Sequence, residues 1–208
     1  MKLTTLSVGS IGTNCYIIYR EDTGSAVVID PSDDVTLVLA RLQALNLKVR
    51  AIVLTHAHFD HGGAADQLRT ETGAAVWAHP ADRALPSWLT HRLEWTDELR
   101  DGQSLCFDGI ELQVLHTPGH TPGSVCLLRG DLLFAGDTLF AGSCGRTDLP
   151  GGSWEQMRGS LCRLAALEGD YTVYPGHGEP TTLWAERGTN PYLRMALEQR
   201  ENREVEVT

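Results

Sequence analysis

The sequence has no long apolar run and no pattern of paired cysteines. Its five cysteines are odd in number and scattered, and none stands in a C-x-x-C arrangement, which argues against a disulfide framework and a zinc ribbon. No apolar run approaches the roughly 18 residues of a membrane span. Residues 1–6 also lack the apolar core of a signal peptide. We therefore expect a soluble protein of the reducing cytoplasm.

Positive charge is scarce as well. Seventeen Lys and Arg residues stand against 27 Asp and Glu residues, which gives a net charge of −10. Such a surface argues against nucleic acids and anionic membranes as partners, although basic residues in a cleft can still bind a small anionic substrate. The sequence also shows no internal repeat, low-complexity segment or linker. We therefore expect one domain over residues 1–208.

Histidine is concentrated in one segment, THAHFDHGG at residues 55–63. The segment follows the apolar run AIVL at 51–54, which is short and rich in β-branched residues and so predicts a buried strand. Open α/β sheets place their sites where strands end and loops begin. The segment is therefore the first candidate for a functional site.

The spacing within this segment indicates metal binding. His56 and His58 lie two residues apart, so on an extended backbone both side chains point the same way and can bind one ion. Asp60 and His61 are adjacent and project differently, which suits a second ion or a substrate. Imidazole and carboxylate together favour zinc, with iron and manganese as alternatives.

The rest of the chain alternates strands and helices. The first half predicts strands at 3–8, 15–19, 26–29, 51–54 and 75–78, with helices at 32–45 and 64–72. Ser32 is the expected N-cap of the first of these helices, with Asp33 and Asp34 in its first turn. The second half predicts strands at 104–107, 110–115, 125–128, 132–135 and 171–174, with helices at 154–167 and 191–201. Residues 80–101 fit neither pattern and predict an irregular connection with room for a short helix. Two halves of this form indicate two sheets covered by outer helices.

Four more residues of ligand type follow predicted strands. They are Asp30, His120, Asp137 and His177, each in a polar loop directly after an apolar run. One such residue alone is equally well explained as turn punctuation. Four at strand ends predict that the loops converge on the histidine segment. Asp30 is expected to orient a ligand rather than to bind metal.

The motif string resembles the metallo-β-lactamase fold superfamily over residues 1 to about 190. His56-x-His58-x-Asp60-His61, followed by His120, Asp137 and His177, matches its ligand motifs. The run from Thr138 to Asp148 narrows the resemblance to the short, single-domain bacterial form of hydroxyacylglutathione hydrolase, or glyoxalase II. The resemblance implies an α/β fold, the four-layer αββα sandwich.

The resemblance also implies a ligand set and a reaction. It assigns one metal to His56, His58 and His120, a second to Asp60, His61 and His177, and a bridging position to Asp137. The expected cofactors are two divalent ions, zinc first, with iron or manganese as alternatives. A hydroxide bridging both ions would attack a thioester such as S-lactoylglutathione, a small-molecule substrate, and Asp60 would orient the water.

The sequence departs from the larger glyoxalase II enzymes in two respects. We expect no separate C-terminal helical domain for glutathione, because residues 1–208 leave no room for one beyond the resemblance. Where those enzymes have a lysine followed by aromatic residues, this chain has Arg146, Thr147 and Asp148. Arg146 keeps a cation that can bind a substrate carboxylate through two hydrogen bonds, or can pin the loop through Asp148. Cys144, in the same loop, is a second candidate substrate contact.

Two other activities are compatible with the same motifs. A persulfide dioxygenase, which the Gly145–Asp148 run also resembles, would hold one Fe(II) on His58 or His56, His120 and Asp137. A lactone or phosphodiester hydrolase would use the same metal pair. The remaining histidines, His79, His91 and His116, are expected to be structural.

Overall fold

Two six-stranded β-sheets face each other at the centre of the fold. The computed structural model describes residues 1–32 and 34–206, and the side chains of the last helix as far as residue 198. The strands of the first sheet are β1 (Lys2–Val8), β2 (Thr13–Tyr19), β3 (Ser25–Ile29), β4 (Lys48–Val53), β5 (Ala75–Ala78) and β6 (Asp97–Glu98). They lie side by side in sequence order. The pairs among β1, β2 and β3 are antiparallel, and those from β3 to β6 are parallel.

The second sheet is formed by the second half of the chain. Its strands are β7 (Ser104–Phe107), β8 (Ile110–His116), β9 (Val125–Arg129), β10 (Leu132–Gly136), β13 (Thr172–Pro175) and β14 (Thr181–Thr182). Their spatial order is β14, β13, β10, β9, β8, β7, and only β10 and β13 pair in parallel. Between β10 and β13 lies a small hairpin of β11 (Leu139–Phe140) and β12 (Ser143–Cys144).

The helices cover the outer faces of the sheets. They are α1 (Val35–Ala44), α2 (Phe59–Gly62), α3 (Ala65–Thr72), α4 (Ser87–Thr90), α5 (Trp154–Ala165), α6 (Leu183–Thr189) and α7 (Pro191–Glu206), with a 3₁₀ turn at Pro80–Ala84. Within residues 1–32 and 34–206, none of them combines the length and the apolar character that crossing a membrane requires.

Alternation along the strands produces three hydrophobic layers. Inward residues of both sheets form the central layer, where the ring of Phe134 lies 5.2 Å from that of Tyr16 and 5.4 Å from that of Tyr174. The opposite face of the first sheet packs on α1 and α3, and the opposite face of the second sheet packs on α5 and α7. The predicted four-layer αββα sandwich is therefore confirmed.

The start of the first helix differs from the prediction. Ser32 adopts a left-handed backbone with φ of 62° and is not the N-cap. The cap is Asp34, whose carboxylate accepts a hydrogen bond from the backbone N–H of Leu37 at 3.1 Å. Asp34 thus caps the helix and does not lie in its first turn, while Asp33 lies outside the described residues. Both Ser and Asp are good caps, and the sequence alone does not choose between two candidates this close together.

The predicted irregular connection at 80–101 contains little regular structure. It holds the 3₁₀ turn, the single turn of α4 and the two-residue strand β6. Trp95 is buried in the layer beneath α1 and α3, whereas Trp88 is exposed. The segment therefore packs through scattered residues, which explains why it has no hydrophobic period.

A modest stability prediction concerns the cap of α5. The hydroxyl of Ser153 accepts a hydrogen bond from the backbone N–H of Gln156 at 3.3 Å. We expect Ser153→Ala to lower the free energy of unfolding by about 1 kcal/mol, because the N–H then loses its partner. Urea unfolding measures the change. Ser104→Ala, on an exposed strand position, is the control, and equal losses in the two variants would contradict the cap assignment.

Candidate metal centre

The seven predicted ligands meet at one edge of the sandwich. The loop after β4 and the helix α2 carry His56, His58, Asp60 and His61, while the loops after β8, β10 and β13 carry His120, Asp137 and His177. Donor atoms within each of three trios lie no more than 4.8 Å apart: His56, His58 and His120; His56, His61 and Asp137; and Asp60, His61 and His177. The structure thus brings together residues from both sheets, as the strand-end pattern predicts.

The first donor set consists of His56, His58 and His120. The Nδ1 atom of His58 lies 3.0 Å from the Nε2 atom of His120. His120 uses its other nitrogen, Nδ1, to donate to the carbonyl of Arg146 at 2.8 Å, so its Nε2 carries the lone pair. The Nε2 atom of His56 is buried and has no hydrogen-bond partner within the described part of the chain. The Nε2 atom of His58 is likewise buried without a partner, so the set presents two imidazole nitrogens that no described protein group satisfies.

The second donor set consists of Asp60, His61 and His177. The Nε2 atom of His177 lies 3.3 Å from Oδ2 of Asp60 and 3.4 Å from Nε2 of His61. The other nitrogen of His61 is 3.0 Å from Oδ2 of Asp30. Asp30 also accepts hydrogen bonds from the backbone N–H and the hydroxyl of Thr55, at 2.8 and 2.7 Å. Asp30 therefore orients the ring of His61, as the sequence predicts, while Thr55 fixes Asp30.

Asp137 lies between the two donor sets. Its Oδ1 is 3.3 Å from Nε2 of His61, and its Oδ2 is 3.5 Å from Nε2 of His120 and 3.7 Å from Nε2 of His177. One carboxylate therefore faces both sets.

The loop of His177 is held by the opposite sheet. Thr13 on β2 forms an isolated backbone bridge with His177. The side-chain amide of Asn14 donates to the carbonyls of Pro175 and Gly178, at 3.1 and 2.8 Å. The backbone N–H of Asn14 donates to Gly176 at 2.8 Å. The last ligand is thus fixed by backbone contacts from the beginning of the chain.

Electrostatics keep most of these groups in the form that binds cations. Burial, followed by the neighbouring imidazoles, lowers the pKa of His56 well below its usual value, and the same causes lower the pKa of His58 to about 4. Burial opposes ionisation of Asp137, but the adjacent His61 lowers the pKa of this carboxyl overall. At neutral pH the centre therefore offers neutral imidazoles at His56 and His58 and an ionised carboxylate at Asp137, the deprotonated forms that coordinate a metal. Burial opposes protonation of His61, but Asp137 and Asp30 raise its pKa overall, and the hydrogen bond with Asp60 raises the pKa of His177, so a cation bound there must displace protons.

This donor set fits divalent metal ions. Imidazole nitrogen and carboxylate oxygen are the ligands of zinc and of non-haem iron. A buried acceptor without a donor is costly, and here several such acceptors point at common positions. A cation satisfies them, whereas a purely structural polar cluster would require protein donors among them.

Sequence reasoning missed one residue of this centre, Asp82. Its carboxylate is buried in the 3₁₀ turn and accepts hydrogen bonds from the backbone N–H groups of Ala57 and Gly123 and from the hydroxyl of Thr121. Burial raises the pKa of Asp82, while these three hydrogen bonds act in the opposite direction. No motif surrounds Asp82, and its distance in sequence from both loops hides the contact.

The two predicted substrate contacts occupy the loop beside His120. Arg146 forms a double hydrogen bond with Asp148, Nε to Oδ1 at 2.7 Å and Nη2 to Oδ2 at 2.8 Å, and both side chains are exposed. This is the loop-pinning alternative for Arg146, while its carbonyl orients His120. Cys144 is half-buried, and burial raises the pKa of its thiol to about 11. Neither residue lies among the converging donors.

The other three histidines lie outside the centre. The rings of His79 and His116 stack at 4.1 Å, and the ring of His91 stacks on Phe59 at 4.6 Å. His116 bonds the carbonyl of Pro122 at 2.9 Å. These packing contacts agree with the structural roles expected from the sequence.

Acidification is expected to destabilise the protein partly through His79. Burial, followed by the nearby His116, lowers the pKa of His79 to about 4. In the unfolded chain His79 is protonated below its usual pKa of about 6.5, whereas in the folded chain it stays neutral until about pH 4. Protonation between these two values therefore favours the unfolded state, and the free energy of unfolding falls as pH decreases through this window. In His79→Gln the free energy of unfolding, measured by urea denaturation, should decrease less between pH 7 and pH 5 than in the wild type. The same loss in variant and wild type would contradict this assignment.

Comparison with known sequences identifies the family. A family profile described as the metallo-beta-lactamase superfamily matches residues 8–177. The hydroxyacylglutathione hydrolase GloC of Haemophilus influenzae is 32% identical, over 93% of this chain and 98% of that protein. The probable metallo-hydrolase YqgX of Bacillus subtilis is 36% identical, over 93% of this chain and 98% of its own.

Solved structures share the fold of this chain. BLEG-1, a B3 metallo-beta-lactamase, gives a TM-score of 0.85 at 36% identity, covering 92% of this chain and 99% of that one. TTHA1623, solved in a di-iron-bound form, has a TM-score of 0.80 and 38% sequence identity, and the match covers 91% of this chain and 99% of TTHA1623. ETHE1 from Myxococcus xanthus has a TM-score of 0.81 and 34% sequence identity, and the match covers 92% of this chain and 84% of ETHE1. The resemblance inferred from the motifs is confirmed: this chain belongs to the metallo-beta-lactamase superfamily and is a metal-dependent enzyme of that superfamily.

Proposed function

We propose that this protein is a dinuclear thioesterase of the glyoxalase II type, acting on S-lactoylglutathione or a related small thioester. The observation that carries the proposal is the position of Asp137, whose carboxylate lies within 3.7 Å of His120 in the first donor set and of His61 and His177 in the second. A structural metal site needs only four closed ligands. Seven converging donors with one shared carboxylate suit a pair of ions.

In this proposal each donor set holds one ion. His56, His58 and His120 hold the first, Asp60, His61 and His177 hold the second, and Asp137 contacts both. Zinc is the first candidate, and the di-iron form of TTHA1623 supports iron as an alternative, with manganese third. Two divalent ions, when bound, polarise a carbonyl oxygen and make water acidic enough to act as a nucleophile at neutral pH.

Asp60 is the proposed catalytic carboxylate. It is half-buried at the second donor set, and the hydrogen bond with His177 and the nearby His61 overcome burial and lower its pKa. An ionised carboxylate there can accept a hydrogen bond from the attacking water and hold one lone pair toward the thioester carbon. The proton of that water is then close to an acceptor before the carbon–sulfur bond breaks.

Substrate binding is assigned to the loop that carries Arg146 and Cys144. Arg146 can bind a carboxylate of a glutathione conjugate only by exchanging Asp148, its present partner. Because this pair is exposed, the exchange costs little.

A net charge of −10 supports a small molecule over a nucleic acid or an anionic membrane. The similarity to GloC along nearly its whole length supports glutathione thioesters as the class. All of this is proposed for one domain in the cytoplasm.

A persulfide dioxygenase is the second candidate, since the Gly145–Asp148 run also resembles that class. A single Fe(II) would need only His56 or His58, His120 and Asp137. The second donor set is then without a purpose, yet its three side chains converge within 4.8 Å. This convergence favours the hydrolase.

One preparation tests both candidates. Metal analysis of the purified protein should give about two ions per chain, and absorbance at the thioester band should show metal-dependent hydrolysis of S-lactoylglutathione. Loss of activity after chelation and its return with Zn²⁺, Fe²⁺ or Mn²⁺ provide the internal control. One ion per chain, no thioester turnover and oxygen uptake with glutathione persulfide would favour the dioxygenase. Hydrolysis of lactones but not of thioesters would contradict the proposed substrate class and would still agree with a pair of metal ions.

A further inference from the structure

Asp82 is a buried carboxylate that the proposed reaction does not use. It is 2% exposed and lies in the 3₁₀ turn, far in sequence from every proposed ligand. Its Oδ2 accepts hydrogen bonds from the N–H of Ala57 at 2.9 Å and from the hydroxyl of Thr121 at 3.1 Å. Its Oδ1 accepts from the N–H of Gly123 at 2.6 Å. All three donors are neutral groups.

These donors belong to the two loops of the first donor set. Ala57 stands between His56 and His58, Thr121 directly follows His120, and Gly123 lies three residues after His120 in the same loop. One carboxylate therefore joins the backbone that carries two of the histidines to the backbone that carries the third. A Cβ atom at Gly123 would lie 2.6 Å from Cγ of Asp82, so this close approach depends on glycine.

We propose that Asp82 is a positioning residue of the first donor set, which fixes the spacing between His56, His58 and His120 by joining the two loops that carry them. The proposal rests on the ligand assignment given above. It predicts a local effect on one metal site, whereas a residue that merely stabilises the fold would weaken both sites alike.

Two parent variants, each lacking a ligand of one donor set, allow metal binding to the other set to be measured separately. His177→Ala removes a ligand of the second donor set and leaves the first intact, while His120→Ala does the reverse. Asp82→Asn is then added to each, and Zn²⁺ affinity is measured by competition with a chromogenic chelator. We expect Asp82→Asn to weaken Zn²⁺ binding by roughly 10-fold or more in the His177→Ala background. In the His120→Ala background the expected change is below about 2-fold, since the hydrogen bonds of Asp82 described here go to Ala57, Thr121 and Gly123 rather than to α2 or the His177 loop.

Glu94→Gln is the matched control, because it removes one carboxylate from an exposed position of the same segment. It should leave both affinities unchanged. Equal weakening of the two sites by Asp82→Asn, or no weakening of the first, would overturn the proposal. Near-UV circular dichroism of the metal-free protein checks folding.

If Asp82→Asn does not fold, Thr121→Val replaces it, since this change removes one donor and keeps the carboxylate. A selective loss at the first site supports the proposal, and an unchanged affinity overturns it. The assay contains Zn²⁺ and no thioester, so its outcome is independent of the substrate class. Selective zinc loss without thioester turnover in the parent protein would refute the proposed function and retain the role of Asp82.

Discussion

Replacement of Asp137 by alanine is expected to lower kcat/KM for S-lactoylglutathione by on the order of 10³-fold, which corresponds to about 4 kcal/mol of transition-state stabilisation. The carboxylate faces His61 on one side and His120 and His177 on the other. Its removal takes a ligand from both proposed ions at once and leaves several imidazoles without a balancing charge. Metal content should fall from about two ions per chain to one or fewer.

Asp131→Ala is the control for this experiment. Asp131 lies exposed just before β10, the strand that leads to Asp137. It should keep wild-type turnover and metal content. Undiminished turnover in Asp137→Ala would exclude a bridging role, and with it the dinuclear mechanism.

Addition of one methyl group at Gly176 is expected to be nearly as damaging. The methyl carbon of Gly176→Ala would overlap Oδ1 of Asp137 and would lie 2.6 Å from Cε1 of His61. The backbone cannot easily withdraw, because the N–H of Gly176 donates to Gly136 and its carbonyl accepts from Asn14, both at 2.8 Å. We expect activity to fall by roughly 100-fold or more, since displacements near 1 Å at a reacting centre have effects of this size.

Gly188→Ala offers a matched comparison. Gly188 lies in α6, and an added Cβ there has no neighbour within 4 Å. Alanine at this helical position should raise the free energy of unfolding by up to about 1 kcal/mol and leave turnover unchanged. Thermal unfolding and steady-state kinetics of both variants test the contrast. Comparable activity in Gly176→Ala and the wild type would show that the loop after β13 can move.

Strand ends made the centre predictable from the sequence. Short uninterrupted apolar runs such as 51–54 form strands that are buried on both faces, and the polar loop directly after each of them lies where the strand leaves the sheet. His120, Asp137 and His177 all follow this rule. The grouping of the seven ligands into two sets, by contrast, came from the family resemblance.

The parts that sequence reasoning missed depend on tertiary contacts. The helix α6 was not predicted, because its buried face includes Glu186, whose carboxylate accepts from Gly142 at 2.9 Å and from Asn190 at 2.7 Å. A buried charge interrupts the apolar period that marks a helix. Asp82 was missed for a related reason, since its partners lie in two other loops. The two possible roles of Arg146 could be separated only once Asp148 was seen beside it.

The contacts of Thr13 and Asn14 with the loop of His177 have a practical meaning for anyone altering the N-terminus. No proposed ligand lies in the first two strands, so they look dispensable for chemistry. Yet they hold the last ligand in place across more than 160 residues. Removal of the Asn14 side chain alone would therefore act first at the opposite end of the sequence, by weakening the binding of one of the proposed ions.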